Sequence, residues 1–334
     1  MNQNFQHKNQ ETPYLLGVDT GSSKTHALIS DMSGRIIGFG ESGCGNYEVV
    51  GEEGFIETVN DAVNKAFSFA GVSKLEIASM GFGFSGYDWP SEAPIMVKAI
   101  CSLQINSPYQ FVNDVMLGLI AGSTEGWGVA ADAGTGNNII GRDKSGKIGR
   151  ITGNSIRFGE FGGASEMVGR AMLAVTYAWS KRGPETRLTQ LFIDHFRVES
   201  EFELIESLAT DKIHLDPALA INIIQLARDG DLQARETVNF SANELALNVN
   251  AVIRQLKFDT TEFEVVMMGR VFNAGDIYFK PFQETILKFA PKAKFVKLLV
   301  PPVAGAVLLA AEVSGAPPRS LREKVYRSIG DFLS

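Results

Sequence analysis

The chain has 334 residues, and because a single hydrophobic core stops growing at roughly 250–300 residues, this length predicts two domains. Hydrophobic residues make up 45% and charged residues 21%, which is typical of a globular protein. The formal net charge of −7 disfavours a protein that binds nucleic acid or anionic membranes.

The two cysteines, Cys44 and Cys101, are far apart and form no CxxC pair, which disfavours a zinc site or an iron–sulfur cluster held by one chain. So few cysteines fit a reducing cytoplasm, the expected location. Residues 1–13 are polar and lack the apolar core of a signal peptide, so we expect a disordered lead-in. The longest uncharged apolar run, 298–311, contains two prolines and is too short to span a bilayer, so no membrane partner is expected.

The first part of the chain alternates apolar runs with turns. Residues 14–19 end at Asp19 and precede a glycine-containing turn, which predicts a buried strand and a tight turn. Two strand-like runs, 26–30 and 35–40, flank Asp31-Met32-Ser33-Gly34 and predict a hairpin. The other elements predicted here are a helix over 55–70, strands over 77–84 and 111–113, and a helix over 115–121.

The same pattern returns later in the chain. The run 129–131 ends at Asp132 and precedes Ala133-Gly134-Thr135-Gly136, and two strand-like runs flank Asp143-Lys144-Ser145-Gly146. Two copies of strand, Asp-x-Gly-Ser/Thr turn and hairpin in one order predict a duplicated domain. The alternative is two unrelated hairpins that follow two unrelated glycine turns.

Beyond residue 160 the sequence is mainly helical, and an apolar face recurs over 164–175. No low-complexity linker separates the halves. We therefore expect an N-terminal domain over 14–118 and a C-terminal domain over 119–334, with a deep cleft between them and the last helix, 320–333, packed on the first domain. Further elements predicted are helices over 217–228, 235–257 and 303–313 and strands over 264–268 and 294–299.

Both glycine turns are suited to phosphate. In the first, Gly21 lets the backbone approach a ligand closely, and the amides and hydroxyls of Ser22, Ser23 and Thr25 can donate to phosphate oxygens. Asp19 suits Mg²⁺, which takes few protein ligands and keeps water. Taken alone, this turn is also compatible with an ordinary hairpin turn in which the aspartate is solvated and binds no ligand.

The second turn, from Asp132 to Asn138, has the same features, so two facing turns are expected to hold one polyphosphate. It is no Walker A loop, because GxxxxGK[ST] occurs nowhere in the chain. Neither turn is a GxGxxG followed by a helix, which disfavours a dinucleotide site of the Rossmann type.

These motifs together resemble the actin/hexokinase-type ATPase superfamily, whose domains are α/β and ribonuclease H-like. Within it the chain resembles the BadF/BadG/BcrA/BcrD ATPase family, which includes N-acetylglucosamine kinases, over about residues 14–313. The segments that carry the resemblance are VDTGSSKTHALI in the first turn, Phe84-Ser85-Gly86, Phe111 to Asp114, the second turn, Gly269 and the helix with Gly305.

The resemblance implies an ATP-dependent kinase for an amino sugar, with ATP and Mg²⁺. Dimers are common in the family, so a homodimer is also implied. The implied ATP-binding residues are Gly21, Ser22, Ser23, Lys24, Thr25, Gly134, Thr135, Gly136, Gly269, Arg270 and Gly305, and the implied metal residues are Asp19 and Asp132. The implied sugar-binding residues are Asn46, Ser85, Gly86, Asp114 and Glu160.

Asp114 matches the catalytic aspartate of the family. A carboxylate at the carboxyl end of a strand can accept the proton of a sugar hydroxyl as that hydroxyl attacks the γ-phosphorus. The alternative for Asp114 is a helix N-cap, because the next residues have a helical pattern.

One segment departs from the sugar kinases, which carry a Gly-Asp-Glu-Gly-Ser-like sequence whose aspartate holds sugar hydroxyls. Here the matching residues are Gly159-Glu160-Phe161-Gly162-Gly163. Glu160 would replace that aspartate with a longer side chain, which leaves the identity of the sugar open. Arg157, close by, is a hypothetical contact for an acidic sugar substituent such as the lactyl group of N-acetylmuramic acid.

Two other functions compete. The family also contains ATPase activators of 2-hydroxyacyl-CoA dehydratases and benzoyl-CoA reductases, which hold a cluster with two cysteines from each subunit. Cys44 lies between two glycines, but no cysteine follows residue 101, and Cys101 is predicted to be a buried small hydrophobe. The other alternative is a nucleotide-binding protein without catalytic activity.

Overall fold

Long apolar runs that end in glycine turns produce the central strands of this protein. The computed structural model describes residues 13–333, so residues 1–12 of the expected lead-in lie outside the described residues. The strands are β1 Tyr14–Thr20, β2 Thr25–Asp31, β3 Ile36–Ser42, β4 Ile77–Phe84, β5 Tyr109–Asn113, β6 Gly128–Ala133, β7 Asn137–Arg142, β8 Ile148–Arg150, β9 Phe263–Met268 and β10 Ala293–Lys297. The helices are α1 Tyr47–Ala70, α2 Ala93–Ser102, α3 Asp114–Gly122, α4 Ala164–Trp179, α5 Leu188–Phe196, α6 Glu201–Ala209, α7 Ala220–Arg228, α8 Leu232–Leu256, α9 Asp276–Phe289, α10 Val303–Ser314 and α11 Pro318–Ile329.

The described strands form two sheets with the same topology. The first sheet has the order β3-β2-β1-β4-β5, and the second, read from its far edge, has the order β8-β7-β6-β9-β10. In each, the first three strands are antiparallel, and the two that follow are parallel to the first strand of the set. This shared order confirms the predicted duplication.

The two hairpins repeat even in their hydrogen bonds. Asp31 Oδ1 accepts from Ser33 N at 2.8 Å, from Ser33 Oγ at 2.7 Å and from Arg35 N at 3.0 Å. Asp143 Oδ1 accepts from Ser145 N at 2.8 Å, from Ser145 Oγ at 2.7 Å and from the corresponding amide at 3.0 Å. An aspartate that binds the backbone two residues on favours a turn, so the same residue type at the same place gives the same hairpin.

Two compact units contain these sheets. The first comprises the residues up to Gly126 and those from Leu298 on, and the second runs from Trp127 to Lys297. The expected boundary at residue 118 differs from this division because it falls inside α3. The expected C-terminal domain also differs, because its last two helices, α10 and α11, belong to the first unit.

Helix α10 lies against the first sheet because it has no polar face. All its residues over 303–311 are buried, and it packs on β1, β4 and α3. The contact is close: a Cβ on Gly81 of β4 would lie 2.2 Å from Ala306 O. Helix α11 follows it, and Ser328 Oγ accepts from Ile36 N at 3.0 Å, so the last helix also packs within the first unit.

In the second unit, α8 is the central helix. Its buried residues share the core of that unit with α4, α7 and α9. The predicted helices over 217–228 and 235–257 correspond to α7 and α8. The helices α5, α6 and α9 were not predicted. The first two have nine residues each, and α9 contains Pro281, which is unusual inside a helix.

The prediction for Cys101 is wrong. Its thiol is exposed on α2, because that helix turns Met96, Ala99 and Ile100 toward the core instead. Among the described residues, none of the helices combines the length and the apolar character needed to cross a bilayer.

Removal of the hairpin carboxylates tests the duplication. We expect Asp31→Ala to speed amide exchange at 33–35, and Asp143→Ala at 145–147, each by roughly three- to tenfold, since each turn loses its acceptor. Asn keeps the acceptor oxygen, so Asp31→Asn and Asp143→Asn should exchange like the wild type in hydrogen–deuterium mass spectrometry. Asn variants that exchange as fast as the Ala variants would contradict this.

Candidate functional site

The first turn, between β1 and β2, is held by backbone hydrogen bonds from three directions. Gly21 N donates to Lys24 O at 2.9 Å and closes the turn, and Gly45 N donates to Gly21 O at 3.0 Å. Ser85 N, at the end of β4, donates to Thr20 O at 3.2 Å and lies 3.1 Å from Thr20 Oγ1. The predicted phosphate turn is therefore fixed in shape, and its Ser22 and Ser23 side chains are exposed.

Next to this turn, Gly45 packs closely on Thr25, whose buried hydroxyl has no hydrogen-bond partner among the described residues. A Cβ on Gly45 would lie 2.3 Å from Thr25 Oγ1 and 2.8 Å from Thr20 Cβ, so only glycine fits there. Thr25 Oγ1 is buried and has no hydrogen-bond partner among the described residues. A buried donor without an acceptor is costly, and an anion bound at the turn is one group that would relieve that cost.

Lys24 is the one predicted ATP ligand of this turn with a salt bridge. Its Nζ lies 3.0 Å from Glu41 Oε2 on β3, and both side chains are exposed to solvent. Exposed ion pairs contribute little stability, so this pairing leaves the lysine free to exchange partners. Its role toward ATP stays a prediction.

Two carboxylates lie at the carboxyl ends of β1 and β5, the two parallel strands on either side of β4. Asp19 of β1 is opposite Gly83 of β4, and Asp114 begins α3 directly after β5. Burial, together with the nearby charge of Asp114, raises the pKa of Asp19 to about 8. The pKa of Asp114 is also raised, to about 6, because burial and the charge of Asp88 outweigh the hydrogen bonds from the Val115 amide and the Ser85 hydroxyl, which lower it.

These carboxylates fit a divalent cation. The factors that raise the pKa of Asp19 are burial and a second acid, so the carboxylate at that position would be stabilised by positive charge. Within residues 13–333 no group of three His, Cys, Asp or Glu side chains could hold a metal. Mg²⁺ suits such a place, because it is commonly bound by one or two carboxylates, water and the phosphates of the substrate.

The structure brings the predicted sugar-side residues of the first unit together. Asn46 Oδ1 caps α1 by accepting from Glu48 N at 2.9 Å. A Cβ on Gly86, which has φ of 83°, would lie 2.7 Å from that same oxygen. Ser85, the residue before, donates its hydroxyl to Asp114. Asn46, Ser85, Gly86 and Asp114 therefore form one cluster.

Sequence reasoning missed Glu48 and Glu92, two acidic residues beside this cluster. Burial raises the pKa of Glu48, and the charges of Asp88 and Glu92 raise it further. Tyr47 is half-buried, and this burial, followed by its hydrogen bond to Glu92, raises the pKa of the tyrosine. No spacing signal could have found them, because they come from α1 and from the loop after β4.

The second turn, between β6 and β7, is held differently. Gly134 N donates to Gly136 O at 3.0 Å and closes it. The first two amides of α4, those of Ala164 and Ser165, donate to Gly134 O at 3.0 Å and to Thr135 O at 2.8 Å. A helix N-terminus thus supports this turn from behind.

Gly269 lies under the same turn. It follows β9 with φ of 93°, and a Cβ on it would lie 2.3 Å from Ala133 O and 2.7 Å from Asp132 Oδ1. Glycine is therefore required both by its backbone conformation and by the close approach of β6. Arg270, the next residue, is exposed. Gly269 therefore lies against Asp132 in the second unit.

Two predicted ligands have structural roles in this fold. Gly305 is buried in α10 of the first unit, where a Cβ would lie 2.1 Å from Leu117 O. Glu160 is 6% exposed, and its carboxylate accepts from Thr152 N at 2.7 Å, from Thr152 Oγ1 at 3.0 Å and from Asn154 N at 3.1 Å. Their assignments to ATP and to sugar stay predictions. Arg157 is exposed in the short 3-10 helix over 155–158.

The sequence matches a known family. The model of the BadF/BadG/BcrA/BcrD ATPase family matches residues 16–310. The chain belongs to this family. It is 25% identical over 301 residues to an N-acetylmuramic acid/N-acetylglucosamine kinase of Clostridium acetobutylicum, with 89% of this chain and 98% of that protein covered. It is 27% identical over 314 residues to an N-acetyl-D-glucosamine kinase of Dictyostelium discoideum, with 89% and 97% covered.

The fold agrees. A ROK family glucokinase from Streptomyces griseus, solved with glucose and AMPPNP, superimposes with a TM-score of 0.56 at 16% sequence identity. The superposition covers 91% of this chain and 100% of the glucokinase. Both units of this family member therefore have the actin-type ATPase fold that the resemblance implied.

The raised pKa of Asp19 predicts how stability depends on pH. The folded chain keeps a proton up to about pH 8 that the unfolded chain releases near pH 3.8, so stability falls as pH rises between these values. Asp19→Asn removes this loss, and at pH 8 we expect its Tm to exceed that of the wild type by at least ~2–4 °C. Thermal unfolding from pH 4 to 8 measures the difference, which should shrink toward pH 4.

Asp143→Asn is the control, because hydrogen bonds from Ser145 lower the pKa of Asp143 and the sign is opposite. A gain at pH 8 in that variant too, or none in Asp19→Asn, would contradict the assignment.

Proposed function

We propose that this chain is an ATP-dependent kinase that phosphorylates a hydroxyl of an amino sugar such as N-acetylglucosamine. The observation that carries the proposal is Asp114, an acid with a raised pKa that lies beside Asp19 and joins Asn46, Ser85 and Gly86 in one cluster. The names of the two curated relatives support the substrate class.

Asp114 acts as the general base. Its carboxylate takes the proton of the sugar hydroxyl, the freed oxygen forms a bond to the γ-phosphorus, and the bond from that phosphorus to the β–γ bridging oxygen breaks, which releases ADP. The Val115 amide and the Ser85 hydroxyl both stabilise the ionised base and fix its direction. The protein supplies position and charge compensation, and little covalent chemistry is needed.

The turns would hold the phosphates. In the first unit, the amides around Gly21 and the hydroxyls of Ser22, Ser23 and Thr25 donate to phosphate oxygens. In the second unit, Thr135 and the amides of the Gly134–Gly136 turn do the same. Asp19 is the proposed Mg²⁺ residue of the first unit and Asp132 that of the second, and Mg²⁺ would neutralise phosphate charge when bound.

The proposal also covers the location and assembly of the protein. Cys44 and Cys101 are both free thiols, which supports a cytoplasmic location. Dimer formation is proposed from the family alone, and sedimentation velocity would measure it.

A sugar panel tests the proposal directly. We expect ADP release that depends on N-acetylglucosamine, measured with a coupled assay beside N-acetylmuramic acid, glucosamine and glucose. Nucleotide binding without turnover on any sugar would favour a binding protein. Stoichiometric iron in anaerobically purified protein would favour the activator ATPases.

Asp114→Asn tests the base. The amide keeps the size of the side chain but cannot take a proton, so we expect kcat to fall by roughly 10²–10⁴-fold with little change in the KM for ATP. Asp143→Asn is the matched control, because it neutralises an aspartate in a surface hairpin of the other unit. Retention of more than a tenth of wild-type kcat in Asp114→Asn would rule out this base.

The pKa of Asp114 predicts how kcat/KM for the sugar depends on pH. Because the base must be ionised, kcat/KM for the sugar should be flat above about pH 7 and fall tenfold per pH unit below about pH 6. Initial rates from pH 5 to 8.5 in constant ionic strength would measure this. A profile that stays flat down to pH 5 would contradict the assignment.

A further inference from the structure

Glu166 is a buried carboxylate with no part in the chemistry described so far. It is the third residue of α4 in the second unit, and it is 1% exposed. Its Oε2 accepts from Gly163 N at 2.7 Å, and its Oε1 accepts from the Ser155 hydroxyl. A negative charge in the first turn of a helix is favoured by the helix dipole, which explains how this carboxylate is tolerated in the interior.

The same helix end supports the second turn. The amides of Ala164 and Ser165 donate to Gly134 O and Thr135 O, while the amide of Gly163 donates to Glu166. The first free amides of α4 are therefore used by the turn and by Glu166. The helix thus does not offer those amides to a phosphate, and acts on the turn by holding its carbonyl groups.

Glu166 also lies directly behind the turn. A Cβ on Gly136 would lie 3.8 Å from Glu166 Oε1, and a Cβ on Gly163 would lie 2.2 Å from Gly136 O. The segment between Ser155 and Gly163 is thereby fastened at both ends by one side chain. Tyr278 adds a third fastening, since its hydroxyl donates to Gly162 O at 2.7 Å.

We propose that Glu166 is a positioning residue that fixes the shape of the Gly134–Gly136 turn and so sets the affinity for ATP. It acts through the amide of Gly163 and the hydroxyl of Ser155, and it touches no reacting atom. This inference rests on the proposed kinase function for its kinetic readout, and on the fold alone for its exchange readout.

Glu166 holds the turn through its hydrogen bonds and not through its charge. A glutamine at this position can accept from Gly163 N with its oxygen and donate to Ser155 Oγ with its amide, because a serine hydroxyl is both donor and acceptor. Glutamine therefore keeps both fastenings, whereas alanine loses both and leaves a buried amide without a partner.

The experiment compares Glu166→Ala, Glu166→Gln and Glu203→Ala. Glu203 is the matched control because it also lies at a helix N-terminus in the same unit, on α6, where its Oε2 accepts from Glu199 N at 2.7 Å. For Glu166→Ala we expect the KM for ATP to rise about tenfold or more, with the KM for the sugar within about twofold. Glu166→Gln and Glu203→Ala should stay within about threefold of the wild type.

Hydrogen–deuterium exchange on the protein without substrates gives the second readout. Glu166→Ala should speed exchange of the amides at 134–136 and 163–165 by about tenfold, and Glu203→Ala should leave them unchanged. Ser155→Ala, which removes one of the two fastenings, should give an intermediate effect in both readouts, and it serves if Glu166→Ala does not fold.

The outcomes separate this inference from the proposed function. If the wild type phosphorylates no sugar, the kinase proposal fails, and the exchange data still decide the role of Glu166. An unchanged KM for ATP and unchanged exchange in both Glu166→Ala and Ser155→Ala would overturn the inference. So would a rise in that KM for Glu203→Ala, or a Glu166→Gln variant as impaired as the alanine variant.

Discussion

Parallel pairing of β1, β4 and β5 brings their carboxyl ends to one edge of the first sheet. Side chains at these strand ends then lie close together, and two of them are acids: Asp19 near the end of β1 and Asp114 directly after β5. Their burial raises the pKa of both, so the site has a base that titrates near neutrality and a carboxylate that favours a cation. The candidate chemistry depends on this placement.

The two units share a topology but support their turns by different means. The first turn is fastened by the amides of Gly45 and Ser85, which come from loops. The second is fastened by the amides that begin α4, with Glu166 behind them. A duplicated frame has thus diverged where the loops meet the turns, while the hairpins under Asp31 and Asp143 kept the same hydrogen bonds.

Much of the fold could be predicted because it is local. Apolar runs that end in Asp-x-Gly turns identified the central strands, and the repeated hairpins identified the duplication. The candidate site was harder to predict. Glu160 was matched to a sugar ligand by position, but its oxygens accept three hydrogen bonds from a neighbouring loop. Cys101 was expected in the core, and a helix that turned a different face inward left it exposed.

The sequence by itself determined the strands, the glycine turns and the acids that follow them, since each depends on residues within a few positions of one another. Only the tertiary structure decided which amides fasten each turn, which carboxylates are buried, and why Gly45 and Gly269 must be glycine. The physical reason is that these hydrogen bonds and close backbone contacts join segments that are far apart in the chain, such as Gly269 and Ala133. A local sequence pattern does not specify which distant segments come into contact.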